Sequence, residues 1–137
     1  MIENYLKKLD DIILAADEIL DIKILCRSIW DTDLEKIGLY RYRIYFCDGS
    51  FLELVERLVE EEGKLSTTKY RFHWQNKEGT LIKRWDNARH HAEIKTFPHH
   101  LHDGSEDNVV AHKEITGVKV LTKIIDEISK TEIHIMI

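Results

Sequence analysis

Leu39–Glu60 reads LYRYRIYFCDGSFLELVERLVE, and its pattern decides the fold. Tyr40, Tyr42, Ile44 and Phe46 alternate with Arg41, Arg43 and Tyr45. Residues two apart share one face of a strand, so this run has one buried side and one wet side. Asp48-Gly49 stands between two such runs, and glycine supplies the positive φ that a tight hairpin turn needs. Phe51, Val55, Leu58 and Val59 also fit the spacing of a helix face, but the turn directly before Phe51 favours a strand.

Reading outward, IKILCRSIW (22–30) is rich in branched residues and precedes the hairpin as another strand. Downstream, TTKYRFHWQ (67–75) alternates Tyr70, Phe72 and Trp74 with Lys69, Arg71, His73 and Gln75. Lys77–Gly79 then turns the chain, and TLIKRWD (80–86) returns it. In the first twenty residues Ile2, Tyr5, Leu6, Leu9, Ile12, Ile13, Ala16, Ile19 and Leu20 recur at helical spacing. Val118, Leu121, Ile124, Ile125 and Ile128 do the same near the C-terminus. EIHIMI (132–137) reads as a short final strand or a tail.

The implied architecture is one α+β domain over 1–137, its sheet antiparallel and twisted with about six strands. An amphipathic helix occupies 1–20, strands fill 22–87, and a second helix covers 117–130, both helices packed on one face of the sheet. Residues 88–112 are expected to form a His-rich loop that carries function, since the stretch has no sustained period, contains Pro98, and is longer than an ordinary connection.

Composition sets further limits. The chain has 137 residues, a third of them charged, with a net charge of −5. Charges interrupt the apolar run of the opening helix, which excludes a signal peptide or a membrane span there and points to the cytosol. Cys26 and Cys47 lack a CxxC spacing and sit in apolar strands, so buried free thiols with no catalytic part are expected. Between Lys64 and His102 there are eight Lys or Arg against three acids. A basic island on an acidic body attracts phosphates locally while discouraging indiscriminate coating by nucleic acid.

That island also holds six of the eight histidines: His73, His90, His91, His99, His100 and His102. If Tyr70, Phe72 and Trp74 face the core, Arg71 and His73 point outward together, ~7 Å apart. On the return strand Lys83 and Trp85 share one face and Arg84 and Asp86 the other, so Asp86 can pair with Arg84 or orient a loop histidine. An imidazole held by a carboxylate has a defined tautomer and suits proton transfer near neutral pH. The pattern fits metal-independent RNA cleavage. His73 with one of His90, His91, His99 or His100 would serve as base and acid, Arg71 and Arg84 would bind phosphate, and Asp86 would orient. Lys69, Lys83, Trp85, Asn87 and Arg89 would contact the nucleic acid, although alternating aromatics in a strand are more often core. A metal site made from His99 or His100 with His102 and Asp103 is the weaker alternative, because the spacing matches no specific zinc motif; no cofactor is expected. No GxSxG, Walker loop or dinucleotide fingerprint is present. A non-enzymatic module using the same face is the competing class.

The segments YRFHWQ, LIKRWDNARHH and TFPHHLH carry a resemblance. Tyr70, His73, Trp74, Gln75, Arg84, Trp85, Asp86, Asn87, His90, His91, Phe97, Pro98, His99 and His100 together resemble the TumE-like toxin family of prokaryotic toxin-antitoxin systems, over roughly Ile37–His102. Arg89 departs from the family pattern, where proline is more frequent. The resemblance implies a small cytosolic α+β protein whose partner is a helix-turn-helix antitoxin. It carries no mechanism, so RNA as target rests on the residues, and a homodimer stays open.

Overall fold

The computed structural model describes residues 1–136. In chain order it has α1 (Ile2–Ala15), β1 (Ile19–Asp31), β2 (Lys36–Phe46), β3 (Phe51–Glu61), β4 (Lys64–Gln75), β5 (Leu81–Asp86), β6 (His100–Asp103), β7 (Val109–Ala111) and α2 (Gly117–Met136). Among the described residues the strands form one antiparallel sheet in the order β1-β2-β3-β4-β5-β6-β7. This is a meander in which each strand pairs with its sequence neighbours, and the protein is α+β with a single domain.

The Asp48-Gly49 turn forms as the sequence requires. Gly49 takes φ 84°, Phe46 N–H donates to Ser50 O at 3.0 Å, and the Asp48 carboxylate accepts from Ser50 N–H at 2.8 Å. Phe51–Glu61 is a strand throughout. Tyr40, Tyr42, Ile44 and Phe46 are all buried to within 1%. They join Leu52, Leu54, Tyr70, Phe72 and Trp74 in one core with Leu6 and Leu9 of α1 and Leu121 and Ile124 of α2. Both helices thus share one sheet face, and fully burying each such side chain contributes roughly 1.5–3 kcal/mol.

Glu56 ties the helices to the sheet. Its Oε1 accepts from the Tyr5 hydroxyl of α1 at 2.6 Å, the Tyr40 hydroxyl at 2.6 Å and the Gly117 amide at 3.3 Å. Its Oε2 accepts from Thr67 at 2.7 Å. Gly117 is where α2 begins, and a Cβ there would collide with the Tyr40 hydroxyl and stand 2.8 Å from Glu56 Oε1. Thr116 caps the helix through Lys119 N–H.

The structure corrects several sequence-based boundaries. Helix α1 stops at Ala15, and Ile19 and Leu20 open β1 instead; Cys47 N–H donating to Glu18 O draws this segment to the sheet. Among the described residues the sheet has seven strands, two of which, His100–Asp103 and Val109–Ala111, are short ones formed within the expected loop. EIHIM continues α2 to Met136 in place of a strand or tail; Ile137 lies outside the described residues. Trp85 is 1% exposed. Its register partners are Phe72 and Leu101, so β5 turns Trp85, and Lys83 with it, toward the helix-bearing face. The ring is core and offers no face to a base. Both cysteines are free but only half-buried. Cys47 Sγ donates to Glu132 at 2.6 Å, and burial, then that carboxylate, pushes the thiol up to about 11.

Candidate functional site

The sheet face opposite the helices carries charge in two transverse rows. One runs Arg41, Val55, Arg71, Asp86, His100 from β2 to β6; the next runs Arg43, Glu53, His73, Arg84, His102. Strict alternation produces this, since the residues between them are the core aromatics. At the β4–β6 end the segment 87–91 borders the rows and makes with them a cleft of about 460 Å³.

Asp86 lies at its floor, 6% exposed. Oδ1 accepts from Ala88 N–H at 3.0 Å and lies 2.9 Å from His100 Nε2. Oδ2 lies 3.4 Å from Arg84 Nε and 3.5 Å from His102 Nε2. His100 and His102 alternate on β6, and their inward nitrogens converge on this one carboxylate. Arg84 is not free for a phosphate, because its terminal nitrogens grip both oxygens of Glu106. The Arg84 hydrogen bond, working against partial burial, holds Glu106 below the usual carboxylate range.

At the mouth stand His90 and His91, with Lys69, Arg71 and Asn87 on the wall. Asn87 is a structural brace, accepting from Tyr70 N–H at 3.0 Å and donating to Thr68 O at 3.1 Å. Arg71 approaches Glu53 at 3.6 Å, and Arg41 and Arg43 also reach that carboxylate. Burial pushes the Glu53 carboxyl upward, yet the Arg43 and Arg41 hydrogen bonds outweigh it and hold it below its usual range.

The cleft thus collects Lys69, Arg71, Arg84, Asp86, Asn87, His90, His91 and His100 from the sequence-derived set. Others lie elsewhere. His73 is one strand position away, with Nε2 on Gln75 at 2.9 Å and Nδ1 buried without a partner. Burial first, then the Arg71 and Arg84 charges, lowers it below the usual histidine value. His99 is hydrogen-bonded to the Tyr70 hydroxyl at 2.8 Å and stacked on that ring. It lines a neighbouring groove with Arg89, whose guanidinium sits 5.3 Å over Phe97. Lys83 faces the other side. His102, which the spacing suggested only for the weaker metal grouping, also lines the cleft, and so does Glu106, which nothing in the sequence marks.

A family model described as toxin TumE matches residues 11–132. The chain belongs to the toxin TumE family. The match covers both flanks of the cleft, the end of α1 and most of α2, extending well beyond the segment in which the resemblance was legible. No curated protein and no solved structure matches the chain. Membership makes this protein the toxin-like component of a toxin-antitoxin system, and an antitoxin is the partner such a family implies. No described helix is long and apolar enough to cross a membrane.

Proposed function

We propose that the cleft cleaves RNA phosphodiester bonds and that this is how the toxin acts. The observation that supports the reading is the convergence, within one cleft, of a carboxylate-held imidazole pair with exposed cations: Asp86 against His100 and His102, beside Lys69 and Arg71. Arg71 and Lys69 bind the phosphate. His91, on the mouth, takes the proton of a ribose 2′-hydroxyl, and His90, the other ring at the mouth, protonates the leaving oxygen, while His100 and His102 are turned onto Asp86 and shape the floor. Arg84 acts as a positioning residue that fixes Asp86. Such placed proton donors and acceptors supply roughly 10² to 10⁴ in rate.

The test is end-labelled RNA incubated with the pure protein, with and without EDTA. Cleavage that persists in EDTA and drops ~10²-fold or more in His90→Ala, with unchanged circular dichroism, is the expected result. A protein that binds its antitoxin but leaves RNA intact in every arm refutes the enzyme reading.

One observation favours a second reading, an interaction module without turnover. β1 is a thirteen-residue edge strand, with Leu20 70%, Ile24 57% and Trp30 42% exposed. An open apolar edge of this length suits strand addition by a partner, and the antitoxin implied by the family is the occupant we assign to it. Ile24→Lys then abolishes antitoxin binding in a protein that leaves RNA intact.

A further inference from the structure

His100 and His102 are each pinned at Nδ1 by a backbone carbonyl, Pro98 O and Glu106 O, both at 2.9 Å. A carbonyl only accepts, so Nδ1 carries the proton in both rings. Nε2 is left as the inward atom, facing Asp86 at 2.9 Å in one case and 3.5 Å in the other. Two imidazole lone pairs turned toward a carboxylate repel it. The arrangement therefore calls for positive charge among these atoms, either protons on both rings or a single metal ion.

His91 completes the set from the loop above. Its ring centroid lies 5.3 Å from that of His100 and 6.0 Å from that of His102. One ring nitrogen from each of the three falls within 4.8 Å of the others. His91 holds φ 59°, a left-handed backbone that costs a non-glycine residue energy. That strain falls on the residue that brings the third ring over the pair.

We propose that His91, His100 and His102, with Asp86 as fourth donor, bind one divalent ion of the zinc class. Orientation of ligand imidazoles by Nδ1–H bonds to backbone carbonyls is the arrangement that presents Nε2 to such an ion. Three imidazoles and one carboxylate select zinc, cobalt, nickel or copper over magnesium or calcium, which prefer oxygen. With metal–ligand bonds of about 2.0–2.1 Å, tetrahedral donor atoms stand closer together than 4.8 Å. Closure falls to His91, the least buried of the three, because β6 and its carbonyl bonds fix the other two rings. The ion takes the His91 nitrogen that the proposed cleavage uses as base, so the ion-bound protein does not cleave and cleavage belongs to the ion-free one. This site differs from the His99/His100–His102–Asp103 grouping that the spacing alone suggests: Asp103 is exposed and alternates away from His102, and His99 is committed to Tyr70.

The experiment uses tag-free protein stripped with chelator and titrated, without RNA, by zinc in competition with a chromophoric chelator, and separately by cobalt. One equivalent bound, cobalt absorption of the tetrahedral type, and a rise in melting temperature are the expected results. His91→Gln, on an accessible loop where folding is not at stake, weakens binding ~10–100-fold or more, and Asp86→Asn does likewise. His134→Gln, on the exposed end of α2, leaves it unchanged. Binding that is weak and non-stoichiometric, that survives His91→Gln in a protein with intact circular dichroism, or that prefers magnesium overturns the assignment. The readout is binding, so a protein that takes up the ion yet leaves RNA intact after chelation refutes the ribonuclease reading and leaves this one standing.

Discussion

Replacing Glu56 by alanine tests the way the helices are held to the sheet. The carboxylate is fully buried and accepts from Tyr5, Tyr40, Thr67 and the Gly117 amide. Each bond to a charged acceptor contributes roughly 1.5–3 kcal/mol, and the bonds share one acceptor group, so they do not add. Removing one side of a buried charged network costs about 3–5 kcal/mol; we take ~4 kcal/mol. Against the 5–15 kcal/mol typical of a domain, this is a large fraction. With a urea m-value of ~2 kcal/mol/M, the midpoint moves down by ~2 M. Burial raises the Glu56 carboxyl above its ordinary value, against the pull of the Tyr40, Tyr5 and Thr67 bonds. The sign follows from linkage: this proton-binding contribution is complete below the unfolded value and is lost as pH rises through the folded one. Wild type therefore loses stability relative to Glu56→Gln as pH climbs over that window. A midpoint shift below ~0.5 M in Glu56→Ala, or a wild-type advantage over Glu56→Gln that grows with pH, refutes the reasoning.

Two further outcomes concern the charged face. His73 is held below its ordinary value by burial and by Arg71 and Arg84, so the unfolded chain takes up that proton first. Its stabilising contribution is present above the unfolded value of about 6.5 and is lost as pH falls through the folded one; urea midpoints against pH should slope less in His73→Gln than in wild type between pH 7 and 5. For Arg71, if it meets one RNA phosphate, Arg71→Ala weakens binding of single-stranded RNA at every sequence and lowers the slope of log affinity against log salt by about 0.7. An unchanged slope removes Arg71 from the phosphate contacts.

Most of the fold was legible because hairpin turns and period-two alternation are local. Asp48-Gly49 and Lys77–Gly79 sit at real turns, and the aromatic alternation of β2 and β4 names the buried face without any tertiary knowledge. Failures begin where pairing, not local pattern, decides. Ile19 and Leu20 continue the helical period of α1, yet β1 claims them because the sheet extends that far. HLHD and VVA are too short to show a period; β6 exists because β5 offers it an edge. That one unseen strand explains why His102 was undervalued, since only on a strand does it stand beside His100. The shared face of Lys83 and Trp85 was evident, but which face it was depends on the register Phe72–Trp85.

The distribution of paired and unpaired charge sharpens what this face can bind. Arg84, the most enclosed cation, is neutralised by Glu106 and Asp86. Arg41, Arg43 and Arg71 instead converge on a single carboxylate, Glu53. One negative charge cannot satisfy three guanidiniums, so positive charge is left over on β2–β4, leading along the row through Arg71 to the histidine cleft. Exposed groups of this kind contribute little to stability through such pairs. Their surplus is therefore better spent on a polyanion that lies across the strands and ends with one phosphate at Arg71 and Lys69. A small anion would need only the cleft; an RNA strand uses the track as well. If the proposed RNA cleavage holds, the charge pattern favours a polynucleotide over a mononucleotide, and it predicts that Arg41→Ala and Arg43→Ala weaken polynucleotide binding while leaving the affinity for inorganic phosphate unchanged.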